Sequence, residues 1–198
     1  MIDNEENSEQ STAVFSRLLR MSERPGVDDL LKYLEGKTDF FNAPASIQYH
    51  GSVEQGLIKH SIAVYKKLLI INNSFRLELP HESLVITGLL HDVCKANYYR
   101  RSFRNKKNDE TGVWEKVNVF EVSDQMPLGH GEKSVIIVQK FLDLTDDETL
   151  AIRWHMGSFD DAAQSFSGTR CLSAAMKKAS LVTALHMADL AASYFDNI

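Results

Sequence analysis

Cysteine is nearly missing from this chain: there are two in 198 residues, Cys94 and Cys171, far apart and without metal-type spacing. That excludes a disulfide framework and a thiolate zinc module, and reads as two reduced thiols in a cytoplasmic protein. No apolar segment approaches the ~18 residues that a membrane span needs. The opening "MIDNEENSEQST" has no basic start and no apolar run, so no secretory signal is expected there. Positive charge is not in excess either: the net charge is -5, which argues against a general nucleic-acid coat but leaves room for a local basic patch. Repeats, low-complexity tracts and linkers that would split the chain are also lacking.

What remains is the composition of an ordinary soluble protein, 43% apolar and 25% charged, enough for a core without staples. Residues 1–10 are polar and read as a disordered tail. Residues 11–198 read as a single domain.

The dominant period in that domain is helical. Val14, Leu18 and Met21, with Phe15 and Leu19 beside them, mark a helix over 11–23. A second helix over 25–36 starts at Pro25 and stops at Gly36, and a third runs over 53–72. Pro80 and Glu82 open a fourth over 80–97. The pattern breaks over 98–122, where a turn cluster from Asn108 to Gly112 separates two alternating stretches and predicts a β-hairpin. Helices resume over 129–144, 145–157 and 174–195, with residues 157–173 as a connector. Thr145 and Glu148 form a capping-box signature. The expected fold class is all-α with one small hairpin.

Ionisable residues sit on the apolar faces of these helices. His60 falls in the stripe Leu57, Val64, Leu68, Ile71. His91 continues Leu84 and Gly88, Asp92 continues Val85 and Leu89, His155 follows Ile152, and Asp189 follows Val182 and Leu185. His130 stands between two glycines where backbone approaches closely. A single buried histidine is usually a core residue with a hydrogen-bond partner. The set is different, because two unpaired carboxylates in a helical core would each cost several kcal/mol. A divalent cation removes that penalty, since imidazole and carboxylate are its natural ligands. His91 and Asp92, ~100° apart on a helix, can converge on an ion lying beside it.

In this order, the stretches "YHGSVEQGLIKHS", "GLLHDVCK", "GHGEKS", "IRWHMG" and "LHMADLAAS" resemble the HD-domain superfamily of metal-dependent phosphohydrolases, in the form with extra histidines. The wording is similar to the HD domain of bacterial 3′–5′ exoribonucleases and of small HD hydrolases, over roughly residues 40–195. The resemblance implies an α-helical bundle with its site among the helices. It implies one or two divalent ions (Mn, Fe, Ni, Co or Zn), the first held by His60, His91, Asp92 and Asp189. A second would be held by His130 and His155, with Asp92 bridging. It also gives Lys95 a role in neutralising phosphate charge, beside Asp92 as the catalytic carboxylate. His50 matches a histidine of the relatives' motif and is a candidate substrate contact. Cys94 replaces the glycine usual in "HDxGK". The missing "GYP" after the dipeptide disfavours cyclic-dinucleotide cleavage.

Other features carry weaker signals. The run "YYRRSFRNKK" places Arg100 and Arg101 with aromatic neighbours where they would draw a phosphorylated ligand toward Lys95; the plain alternative is a solvated hairpin. His186 would orient Asp189, touch substrate or simply pack. Trp114 and Trp154 are expected to pack. The functional expectation is hydrolysis of a phosphomonoester or phosphodiester, of a nucleotide or short oligonucleotide, with no membrane partner. The rivals are a dinuclear-iron oxygenase on the same ligands and a non-catalytic, metal-containing nucleotide-binding module.

Overall fold

The computed structural model describes residues 2–46 and 53–196, with the backbone alone for residues 2–9. In order these form α1 (Ile2–Arg20), α2 (Val27–Lys37), α3 (Gly56–Phe75), α4 (His81–Leu90), β1 (Tyr99–Lys107), β2 (Trp114–Val122), α5 (His130–Val138), α6 (Asp146–Trp154), α7 (Phe166–Lys178) and α8 (Ser180–Phe195). This is the expected all-α fold with one hairpin, β1 pairing antiparallel with β2 from Tyr99↔Val122 to Lys107↔Trp114.

The apolar stripes meet in one core. Phe15 and Leu19 of α1, Leu30 and Leu34 of α2, Leu57 and Leu68 of α3, and Leu84 and Leu89 of α4 are almost wholly buried. Leu181 and Leu185 of α8 join them. Helix α3 packs against α4 and α8, and α6 against α8 and α5. These four contacts bring together the helix ends that carry the ionisable residues.

Several boundaries differ from the sequence reading. Helix α1 already begins at Ile2, within the segment that its polarity suggested was a tail. The fourth helix stops at Leu90 rather than running to Asn97, and a single 3₁₀ turn, Val93–Lys95, follows. The stretch 174–195 is split at Ala179, whose φ of -134° is extended. Much of the 157–173 connector is 3₁₀ or the start of α7, with Ser165 capping α7 by accepting from the Gly168 N–H. Trp114 is 68% exposed and does not pack, whereas Trp154 is buried under the Arg153 guanidinium, 3.9 Å from its ring.

Candidate metal centre

Ending α4 early is what aims the His–Asp pair. His91 keeps helical dihedrals as the C-terminal cap, its N–H donating to the Thr87 carbonyl. Asp92 leaves the helix at φ -107°, ψ 18°, a sparsely populated bridge conformation. The two side chains therefore reach one centre from a chain that turns between them, and not from two faces of a continuing helix.

Five side chains converge there. His60 stands in the second turn of α3, His155 caps the C-terminus of α6, and Asp189 lies midway along α8. His60 Nε2 is 3.1 Å from Asp189 Oδ1 and 3.8 Å from Asp92 Oδ2. His91 Nε2 is 3.4 Å from His60 Nε2, 3.6 Å from Asp92 Oδ2 and 4.0 Å from Asp189 Oδ1. Ligand atoms at 2.0–2.2 Å from one ion would lie ~3.0–3.5 Å from each other. The five spacings agree to within about half an ångström; His60, His91 and Asp189 form one close group, which Asp92 Oδ2 approaches from the side of the two histidines, and this set fits a divalent cation. His91, Asp92 and His155 form a second close group. Asp92 divides its oxygens between the groups: Oδ2 faces His60 and His91, while Oδ1 is 3.5 Å from His155 Nε2.

Two of the histidines are oriented from behind. His91 Nδ1 lies 3.0 Å from the Gly88 carbonyl and His155 Nδ1 lies 2.8 Å from the Ile152 carbonyl. An N–H at Nδ1 donates to each carbonyl and leaves Nε2 as a lone-pair ligand facing the centre. Burial pushes the His91 pKa down to about 4 against the opposing pull of Asp92 and Asp189, so its imidazole is neutral near pH 7. Burial would raise the Asp92 carboxyl, but Lys95 and His91 hold it well below its usual range. For Asp189, burial is likewise outweighed, chiefly by the hydrogen bond from His60. For His155 burial acts downward, and the hydrogen bond and charge of Asp92 turn the net direction upward.

Lys95 Nζ is 2.6 Å from Asp92 Oδ2. Burial lowers its pKa but the Asp92 charge more than reverses this, so Lys95 stays cationic. Cys94 is buried, and burial together with Asp92 pushes its thiol up to about 12. It is a neutral neighbour, with Sγ 3.4 Å from His130 Nδ1.

His60, Asp92, Lys95, His155 and Asp189 line a cavity of about 440 Å³, with His91 and Cys94 buried behind them. His130 lies in its wall against Tyr98, ring centroids 5.5 Å apart, but belongs to neither close group of ligand atoms among the described residues. Arg100 and Arg101 do not line the cavity: Arg100 pairs with Glu121 at 3.3 Å and Arg101 pairs with Glu54. His50 lies outside the described residues. His186 does line the cavity, and its Nδ1 is 2.7 Å from the His155 carbonyl, so it braces the ligand helix end. Sequence reading missed Phe159 and Tyr194 at the cavity mouth, 63% and 72% exposed. Their only sequence signal was an aromatic residue in a polar connector and in a final helical turn.

Gly88 sets the distance between the helices that bear His60 and His91. A Cβ there would lie 2.8 Å from Tyr65 Cα on α3, so Gly88→Ala must push backbone away. Alanine gains about 1 kcal/mol of helix propensity, and overpacking typically costs about 1–3 kcal/mol. A net destabilisation of roughly 1 kcal/mol is expected in chemical denaturation, with activity reduced because the His91 anchor is the Gly88 carbonyl.

The chain belongs to the HD-domain family: the family model, described as "HD domain", matches residues 57–190, from the start of α3 to one residue beyond Asp189. Among curated proteins it is similar to dihydroneopterin 2′,3′-cyclic phosphate phosphodiesterase of Methanocaldococcus jannaschii, 32% identical over 95 residues. That match takes in 46% of this chain and 34% of the relative, so the chain spans about a third of that protein's length. No solved structure matches the chain.

Proposed function

We propose that the protein is a metal-dependent phosphohydrolase that cleaves a phosphoester, preferentially a phosphodiester of a nucleotide-like molecule. The observation that carries this reading is the close group formed by His60, His91 and Asp189, with Asp92 Oδ2 3.6 Å from His91 and 3.8 Å from His60 and the Lys95 ammonium beside it. His60, His91, Asp92 and Asp189 would hold one ion, and Asp92 and His155 would contribute to a second. A divalent cation bound there polarises a phosphoryl oxygen and lowers the pKa of a bound water.

The chain's own groups do the rest. Lys95 presents a fixed positive charge where phosphoryl oxygens gain negative charge in the transition state. Asp92 holds that ammonium in place and orients the His155 imidazole. His130, half-buried in the cavity wall, is within the cavity to donate a hydrogen bond to a substrate oxygen. Tyr98, Tyr99, Phe159 and Tyr194 surround the polar floor with rings, which suits a phosphate ester carrying a flat aromatic base. The M. jannaschii relative, named for a cyclic phosphate diester of a pterin, supports a diester of an aromatic heterocycle over a sugar phosphate.

The test is a panel of phosphomonoesters, linear diesters and 2′,3′-cyclic nucleotides assayed with Mn, Fe, Co, Ni, Zn or Mg, each with and without chelator. Chelator-sensitive release of product from at least one diester is expected. Turnover that survives exhaustive chelation, or oxygen consumption with iron and no ester cleaved, rejects the reading. Lys95→Ala is expected to lower kcat on that substrate by about 10²-fold, with Lys95→Arg recovering part of it. An unchanged kcat in Lys95→Ala removes Lys95 from the chemistry.

A further inference from the structure

The hairpin sorts its residues between its two faces. Directly opposed residues in an antiparallel pair share a face, so the register places Tyr99, Arg101, Phe103, Asn105 and Lys107 with Val122, Phe120, Asn118, Lys116 and Trp114. All four aromatic rings of the two strands are on this face, with three cations and neither carboxylate of the strands; of the cations, Arg101 is paired with Glu54 ahead of α3, and Lys107 and Lys116 remain for a ligand. The other face carries Arg100, Ser102, Arg104 and Lys106 against Glu121, Val119, Val117 and Glu115; it holds both acidic residues of the strands and no ring. Phe103 is 61% exposed and Trp114 68%. Lys116 Nζ sits 4.6 Å from the Phe103 ring centroid. The ring-bearing face is continuous with the candidate metal centre, because Tyr99 and Val122, its innermost pair, both line the cavity.

Eight residue steps separate Tyr99 from Lys107, about 27 Å of extended strand. Rings stand at Tyr99, at Phe120 two steps out and at Phe103 two steps further, a spacing of roughly 7 Å, with Trp114 near the tip. Exposed rings interleaved with cations are the features that hold an unpaired nucleic-acid strand, bases stacking on rings while ammonium groups meet phosphates. A partner protein of mixed charge would give no reason to keep both carboxylates off this one face, and it would not have to thread into the cavity. We propose that the ring-bearing face of the hairpin is a docking track for single-stranded nucleic acid, delivering a strand end or a neighbouring phosphodiester to the metal centre. This rests on the phosphohydrolase reading for what happens at the inner end, but binding along the track does not require turnover.

The experiment reads binding alone. The full chain carrying Asp92→Asn, to suspend cleavage, is titrated into a fluorescein-labelled 12-nucleotide oligouridylate, into its deoxythymidylate counterpart, and into a 12-base-pair duplex, with fluorescence anisotropy as the signal. Both single strands should bind and the duplex much more weakly; a difference between the first two assigns RNA or DNA. Adding Phe103→Ala with Trp114→Ala should weaken single-strand binding at least tenfold. Arg104→Ala with Lys106→Ala, two cations lost from the opposite face, should weaken it no more than about threefold. Circular dichroism and thermal midpoints check that every variant is folded. The proposal is overturned if the parent binds no single strand, if the duplex binds as well, or if the two double variants lose equally. It is also overturned if Phe103→Ala with Trp114→Ala dissolves a dimer seen by sedimentation and leaves oligonucleotide affinity intact, since the face would then be a self-association surface. If the wild-type chain cleaves no ester yet the track behaves as stated, the phosphohydrolase reading fails and the track stands.

Discussion

Asp92→Asn is expected to reduce hydrolysis by on the order of 10³-fold or more, the largest catalytic effect of any single change in this chain. Among the described residues, Asp92 is the carboxylate that meets both close groups of ligand atoms and the Lys95 ammonium. Asp92 Oδ2 lies 2.6 Å from Lys95, 3.6 Å from His91 and 3.8 Å from His60, while Oδ1 lies 3.5 Å from His155. Asparagine keeps the volume and one carbonyl oxygen but removes the charge that favours a dication and the second anionic oxygen that faces His155. The fold is expected to survive, because the Lys95 side chain is 19% exposed and can turn its ammonium to water. A second readout separates ligation from folding. A metal present at about 100 times its dissociation constant stabilises the wild type by about 2.7 kcal/mol, and that gain in thermal midpoint should disappear in the variant. Wild-type turnover by Asp92→Asn on an ester that the wild type cleaves would place the chemistry elsewhere.

The parts of this site that were legible in the sequence are those that depend on periodicity. His60 lies in its apolar stripe and is buried, and Asp189 follows Val182 and Leu185 on α8 as the three-and-four spacing requires. The hairpin was legible because Asn108 to Gly112 is turn chemistry between alternating strands. Helix ends were not legible, and they decide the geometry. Leu89, Leu90, Val93 and Cys94 are all fully buried, so the apolar pattern runs on without a break while the backbone leaves the helix at Leu90. Neither glycine nor proline marks that point. That Arg100 and Arg101 do not line the cavity was not legible for a related reason: a basic run gives charge but not direction, and Arg100 pairs with Glu121 across the hairpin while Arg101 pairs with Glu54 ahead of α3. The Thr145–Glu148 capping box was legible as four adjacent residues, and both of its hydrogen bonds are present. That Glu148 also reaches two residues more than 60 positions away was not, because nothing local encodes a partner at that separation.

Those distant partners make Glu148→Ala the most destabilising substitution expected outside the metal centre. Its side chain is completely buried, and its carboxylate accepts from Arg24 at 2.9 and 3.2 Å, from Ser83 Oγ at 2.7 Å and from the Thr145 N–H at 2.9 Å. One carboxylate thus ties the loop before α2 to the first turns of α4 and α6. Arg24 itself is 14% exposed and donates to the Asp143 carbonyl; when Glu148 is lost it keeps only the half-exposed Glu82 at 3.4 Å as counter-charge, which places the cost toward the lower end of the range for a broken buried pair. Removing one member of a buried ion pair costs about 3–5 kcal/mol, a large share of the roughly 5–15 kcal/mol that holds a domain folded. Glu148→Gln should cost less, since an amide oxygen still accepts from Ser83 or Thr145. Burial by itself would raise the Glu148 pKa, but Arg24, the Thr145 N–H and Ser83 together bring it below the ordinary glutamate value. A carboxylate with a depressed folded-state pKa contributes its stability in full above its unfolded value, about 4.3, and loses it as pH falls through the folded one. The stability gap between wild type and Glu148→Gln, measured by urea denaturation, should therefore be flat from pH 8 to about pH 5 and close below pH 4. A gap that stays constant down to pH 3 would mean that the charge of Glu148 is not what joins these three segments.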